Sequence, residues 1–263
     1  MKAIDLYNYL HQLDGGWVDW DDTVDAFKSG DPQAEVRGIA VGWMSYTWAL
    51  QRALQLGCNV FVTHEPTYYA HRDQPQAPWQ LQGTRDKRQF IEDSGLVILR
   101  CHDLWDQYPG IGIPDSWGAF LGLGEAIAGE GYYRVYDARG LTAGEVARRI
   151  AGSVRDFGQE AVALVGPAEK PVQRVALGTG AITPFFHFIE KYNIDLAICT
   201  DDGFTWWRDG AYAIDNDLPV VVVAHSASEE AGLRNLAAHL KAAFPDIPVH
   251  HIPQRCMYRL VAA

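Results

Sequence analysis

Short runs of consecutive apolar residues alternate along the chain with longer stretches whose apolar positions recur every three to four residues. Runs of the first kind read as strands buried on both faces and stretches of the second kind as helices packed on them, so the pattern predicts an α/β fold. Strands are expected at 36–41, 59–63, 96–101, 172–177, 196–199, 219–224 and 249–252, with 132–137 as a further one. Helices are expected at 3–13, 46–56, 85–94, 116–128, 143–157, 184–192 and 227–244. The fifth helix has a marked start: Thr142, followed three residues later by Glu145, is the capping-box pair that satisfies two orphan backbone donors.

An internal repeat organises these elements. Val36-Arg-Gly-Ile-Ala-Val-Gly42, a helix, and Asn59-Val-Phe-Val-Thr63-His64-Glu65 are echoed by Val172-Gln-Arg-Val-Ala-Leu-Gly178, a helix, and Asp195-Leu-Ala-Ile-Cys-Thr200-Asp201-Asp202. Two copies of a strand–helix–strand unit predict two similar α/β lobes with mixed or mainly parallel sheets. The lobes are expected at about 1–128 and 129–263, joined in the Gly-rich stretch 122–131.

Composition acts mainly by exclusion. A chain of 263 residues, 48% hydrophobic and 21% charged, can bury a full core and does not resemble a disordered one. Its formal charge of −11 and the lack of any Lys/Arg cluster longer than two residues argue against nucleic acid or an anionic membrane surface as partner. No window reaches the ~18 apolar residues of a membrane span, and the N-terminus lacks the pattern of an export signal, so a cytoplasmic protein is expected. Cys58, Cys101, Cys199 and Cys256 stand singly, which favours reduced core thiols over disulfides or zinc ligands.

In open α/β sheets ligands gather beyond the carboxyl ends of the strands. Those ends are Thr63-His64-Glu65-Pro66, Cys101-His102-Asp103-Leu104-Trp105-Asp106, Thr200-Asp201-Asp202 and Ala224-His225-Ser226-Ala227-Ser228-Glu229. Imidazole with carboxylate is the ligand set of zinc, manganese or iron. His225 and Glu229 are four apart at an expected helix start, so both point the same way, and His102 and Asp106 repeat the spacing. Competing motifs fail. Pro66 and Tyr68 exclude a zincin helix at His64-Glu65, and Gly178-Thr179-Gly180 lacks the third glycine of a dinucleotide fingerprint, which leaves a phosphate cradle or a tight turn with close helix–strand packing. Neither a P-loop nor a nucleophile elbow is present.

In these residues the chain resembles the NGG-one interacting factor three (Nif-three-like) family, many of whose members carry the name GTP cyclohydrolase I type II. Members show Thr/Ser-His-His-Pro, His-Thr-x-Leu-Asp, a glycine-rich turn and Gly-His-Tyr-x-Ser/Thr-Glu; the counterparts are the blocks at His64, His102, Gly178 and His225, between about Trp20 and Gln254. The resemblance implies two divalent metal ions held between the lobes by His64, Glu65, Asp106, His225 and Glu229, with His102 beside them, and a toroidal homohexamer. Glu65 departs from the family's second His. A carboxylate there favours harder cations, so zinc, manganese and iron all stay open. The function expected is a metal-dependent hydrolase that acts on a small organic or nucleotide-like substrate, with His102 and Asp103 moving protons. The alternative is a non-catalytic metal-binding or regulatory interaction protein.

Overall fold

Where the sequence offers an unbroken apolar run, the computed structural model, which describes residues 1–74, 77–181 and 183–261, places a strand covered on both faces. The described residues divide into two compact units, Met1–Tyr108 with Leu233–Pro253, and Pro109–Gly232 with Gln254–Ala263.

The first unit contains α1 (Ala3–Gln12), β1 (Phe27–Ser29), β2 (Ile39–Gly42), α2 (Thr47–Gln55), β3 (Val60–Thr63), α3 (Gln82–Ser94), β4 (Val97–Arg100) and α4 (Asp103–Gln107). All residues of β2, β3 and β4 are buried, the burial pattern of parallel strands with helices on each side. β2 pairs parallel with β3 (Ile39 opposite Val60, Gly42 opposite Thr63), β3 parallel with β4, and β1 closes that edge antiparallel. Ala49, Leu50 and Ala53 recur at helical spacing along α2 and join Ala40, Phe61, Ile91 and Ile98 in one apolar cluster.

The second unit contains α5 (Ile113–Phe120), β5 (Ala126–Glu130), β6 (Tyr133–Thr142), α6 (Ala143–Val154), β7 (Ala163–Val165), β8 (Pro171–Gly178), α7 (Phe185–Tyr192), β9 (Leu196–Thr200), α8 (Ala211–Asp215), β10 (Val220–Val223) and the start of α9 (His225–Ala243). From Leu233 onward α9 belongs to the first unit, as does β11 (Val249–His251), which pairs parallel with β2. The second sheet runs β5-β6-β8-β9-β10-β7. β8, β9 and β10 are parallel, while β6 and β7 flank them antiparallel. At the head of α6 the expected capping box is present: Glu145 N donates to Thr142 Oγ1 at 3.3 Å, and Thr142 N donates to Glu145 Oε2 at 2.7 Å.

The repeat read from the sequence is therefore repeated structure, β2-α2-β3 and β8-α7-β9. In each unit the next parallel strand lies beyond, β4 or β10, followed by a short antiparallel edge, β1 or β7. The sheets diverge on the other flank, where β11 is parallel to β2 but β6 is antiparallel to β8. The helix expected over 116–128 is a correction: α5 ends at Phe120, and positive φ at Gly122 (67°) and Gly124 (84°) breaks it. Residues that continued the helical pattern in sequence instead form β5, hairpinned to β6. The Gly-rich stretch 122–131 thus lies within the second unit. Among the described residues no helix is long and apolar enough to cross a membrane. Cys58, Cys101 and Cys199 are buried free thiols and Cys256 is partly buried.

Candidate metal-binding residues at the strand ends

In the first unit β3 and β4 are neighbours and parallel, so their carboxyl ends deliver His64-Glu65 and His102-Asp103 to one place. His64 is wholly buried. Its Nδ1 lies 3.0 Å from the carbonyl oxygen of Cys101, which can only accept, so Nδ1 carries the proton. Nε2 then faces Asp106 Oδ1 at 3.2 Å. That oxygen is buried and, among the described residues, receives no hydrogen bond. His64, His102 and Asp106 each present a ligand atom, all within 4.8 Å of one another, and so form a group that could hold a metal ion. The His64 and His102 rings stack with centroids 4.7 Å apart.

The position of Asp106 depends on α4, and α4 depends on Asp25. The Asp25 carboxylate accepts from the backbone N–H of His102, Asp103 and Leu104 at 2.5, 3.1 and 2.8 Å, which satisfies the orphan donors of that short helix. Burial still raises the Asp25 carboxyl above its usual range, because desolvation outweighs these donors. Asp103 is fully engaged as well: Oδ1 lies 2.9 Å from His102 Nδ1, and Oδ2 accepts from the Thr23 hydroxyl (2.7 Å) and from Val24 N (3.1 Å). Partial burial works against its charge, but these bonds prevail and hold it well below the usual carboxylate range. For His102 burial favours the neutral ring; the Asp106 charge and the Asp103 hydrogen bond overcome it, and the net shift is upward.

Two buried cations brace the β3 corner. Arg100, on β4, donates from Nε to the His64 carbonyl at 2.8 Å, from Nη1 to the His71 carbonyl, and from Nη2 to Glu65 Oε2 at 3.3 Å. Glu65 Oε1 lies 3.9 Å from His102 Nε2. Lys87 Nζ, on α3, donates to the Thr67 carbonyl at 2.6 Å, and burial pushes its ammonium down to about 8.

In the second unit β9 ends in Thr200-Asp201-Asp202, and β10 runs directly into the first turn of α9. His225 N donates to Asp201 Oδ1 at 3.0 Å, and His225 Nδ1 lies 2.8 Å from Asp202 Oδ2, so Nδ1 again carries the proton. Its Nε2 faces Glu229 Oε1, one helical turn on, at 3.0 Å. Glu229 is 2% exposed. The backbone of the turn Gly178-Thr179-Gly180 packs against this pair. Gly180 has φ +59°, and a Cβ there would lie 2.9 Å from Glu229 Oε1 and 3.3 Å from His225 Nε2. Thr200 Oγ1 donates to the Gly180 carbonyl and accepts from Gly203 N, fixing the turn.

The residues expected at the site thus fall into two groups. His64, Glu65, His102, Asp103 and Asp106 come together in the first unit, and His225 and Glu229 in the second. The sequence reading missed Asp25 and Arg100. Asp25 lies in a loop with no motif around it, and Arg100 reads as a polar interruption at the end of an apolar strand; neither carried a signal.

Histidines tied at Nδ1 and presenting Nε2 beside a buried carboxylate are the usual arrangement of metal-ligating imidazoles. A curated relative from Chlamydia pneumoniae, named a GTP cyclohydrolase 1 type 2 homolog, is 22% identical over 260 residues, 93% of this chain and 95% of that one. The fold matches a Bacillus cereus protein related to NIF3 (TM-score 0.84, 12% identity) and a Staphylococcus aureus hypothetical protein (TM-score 0.83, 14% identity), each over 99% of both chains. Since the model of the Duf34/NIF3 (NGG1p interacting factor 3) family matches residues 18–256, nearly the whole chain, the protein belongs to that family.

Proposed function

We propose that the protein is a metal-dependent hydrolase in which His64, Glu65 and Asp106 of the first unit and His225 and Glu229 of the second share two divalent cations. The observation that carries this reading is Asp106 Oδ1, buried without a hydrogen-bond donor among the described residues and 3.2 Å from an imidazole nitrogen whose ring proton is committed to Cys101. Two acceptors held face to face repel each other unless a proton or a cation sits with them. The wider arrangement points the same way, since Asp25, Glu65, Asp103 and Asp106 all gather around His102, and Arg100 pairs with Glu65. Bound divalent cations would supply Lewis acidity and would activate water near neutral pH.

The chain's own residues then divide the remaining work. Asp103, held charged by its three donors, is poorly suited to exchange a proton and instead fixes the tautomer of His102. His102 is the group that moves the proton, at Nε2, because Nδ1 is committed to Asp103. Arg100 orients Glu65 through its Nη2 contact. The name of the Chlamydia relative makes guanosine triphosphate one substrate to try, but any small molecule hydrolysed by activated water suits these residues equally. Self-association, up to a hexamer, belongs to the same reading and is checked by sedimentation.

The deciding experiment combines metal analysis of the purified protein with a hydrolysis screen over nucleotides and small esters and amides near neutral pH. Two divalent ions per chain are expected, with turnover lost in His102→Gln. Metal without turnover on any substrate would favour the non-catalytic alternative. A protein that contains no divalent metal and gains no stability from zinc, manganese or iron would end the metal reading altogether.

A further inference from the structure

The chain carries a formal charge of −11. Even so, a surface cavity of about 460 Å³ in the second unit is lined by three exposed arginines, Arg155, Arg255 and Arg259. None of the three makes an ion pair or a side-chain hydrogen bond with any described residue. Gly158, with φ +77°, leaves room for the Arg255 stem: a Cβ at 158 would come within 3.2 Å of Arg255 Cβ and Cδ. The rest of the wall is anchored. Gln159 is buried, with Oε1 accepting from Ala224 N and Nε2 donating to the Ala161 carbonyl, both at 3.0 Å. Cys256 N donates to the Phe157 carbonyl at 2.8 Å, which ties the segment bearing Arg255 and Arg259 to the end of α6.

Three like charges around one open cavity make it locally basic and favour a bound anion. Acidic groups on the wall do little to offset them. Burial holds the Cys256 thiol and the Tyr258 hydroxyl above their ordinary values, so both are neutral near pH 7; among the described lining residues Glu160 is the one carboxylate beside three arginines, with Asp201 acting on Tyr258. Guanidinium forks match phosphoryl oxygens in geometry as well as charge. The volume lies in the roughly 300–1,000 Å³ range of small-molecule sites and well exceeds what a phosphate ion needs. Long polyanions are disfavoured by the acidic protein as a whole, whereas a small anion can enter the local basic wall.

We propose that this arginine-walled cavity is a second ligand site, separate from the His and carboxylate groups at the strand ends, and that it takes a small organic molecule bearing one or two phosphoryl groups. Tyr258 supplies a ring for the organic part. Asp201, whose charge acts on Tyr258, also accepts from His225 N, so the wall lies near the neighbourhood of His225.

The test is calorimetric titration of the purified protein, in about 0.1 M salt, where charge contacts at the surface are already partly screened. The probes are adenosine diphosphate, inorganic pyrophosphate and adenosine. Adenosine diphosphate should bind more tightly than pyrophosphate, and adenosine should not bind. The double variant Arg255→Gln/Arg259→Gln should weaken adenosine diphosphate at least tenfold with its melting temperature and metal content unchanged, while Glu160→Gln should bind as well or better. Asp106→Asn, which disables the proposed metal site, should leave this affinity intact. Equal affinity in the double variant, or no binding to the wild type at millimolar concentration, overturns the proposal. Loss of binding in Asp106→Asn with retention in the double variant would place the anion on the metals instead, and pyrophosphate binding as tightly as the nucleotide would remove the organic part of the ligand.

Discussion

In the first unit His64 Nδ1–H donates to a backbone carbonyl and Nε2 turns toward Asp106; in the second, His225 Nδ1–H donates to the Asp202 carboxylate and Nε2 turns toward Glu229. The two nitrogen–carboxylate distances, 3.2 and 3.0 Å, are nearly the same, but the construction differs. His225 and Glu229 are one helical turn apart on α9, so the backbone itself sets their spacing. His64 and Asp106 come from the ends of different strands, and their meeting needs the β3–β4 pairing, the Asp25 cap on α4 and the buried Arg100. A pair made within one helix tolerates change in its surroundings, whereas a pair assembled across a sheet depends on every element that positions it.

The largest expected effect follows from that dependence. Arg100→Met leaves the Glu65 carboxylate buried without its cation and frees two backbone carbonyls, so it should destabilise the protein by about 3–5 kcal/mol in urea unfolding. A loss below about 1 kcal/mol would mean that the first group does not lean on Arg100.

Lys87, which braces the loop after Glu65, gives a pH signature. Its folded pKa of about 8 lies below the ordinary 10.5, so between those values the unfolded chain binds the extra proton and stability rises with pH. Relative to Lys87→Met, the wild type should gain about 3 kcal/mol from pH 8 to 10.5, and parallel profiles for the two proteins would contradict the buried-ammonium account.

Metal comes next. At a hundredfold excess over its dissociation constant, a bound metal contributes about 2.7 kcal/mol, so chelation should lower the melting temperature by about 5 °C or more. Asp106→Asn and Glu229→Gln divide the question between the units. If both groups serve one metal pair, either variant should abolish most of the chelation effect; if each group works alone, each variant should remove only about half.

The smallest effect expected is at Asp202. Asp202→Asn keeps a hydrogen-bond acceptor for His225 Nδ1 but removes the charge that makes the ring a stronger base, so metal affinity should fall about 10- to 100-fold with little change in fold stability. An unchanged affinity would show that the carboxylate at this position adds nothing beyond the carbonyl that serves His64.

The parallel strands, most helices and the repeat were legible in the sequence because continuous burial and helical periodicity are local patterns. So was the capping box at Thr142, whose two partners lie within one turn. The three-residue strands β1 and β7 were not legible, since segments so short have no period and form only because an edge of the sheet accepts them. The stretch 116–128 was misread because its apolar content suits both a helix and a hairpin, and the glycines at 122 and 124 decide for the hairpin.

The site divides along the same line. The sequence by itself placed His64, Glu65, His102, Asp103, Asp106, His225 and Glu229 at strand ends, where open α/β sheets collect their chemistry, and it fixed the one-turn pairing of His225 with Glu229. Only the tertiary structure decided which nitrogen each imidazole presents, that Asp103 is tied by three donors, that Arg100 holds Glu65, and that Gly180 lies against the His225 pair. The physical reason is that spacing along a helix or strand follows from backbone geometry, whereas tautomer, ionisation and partner depend on which distant groups the folded sheet brings within hydrogen-bonding distance.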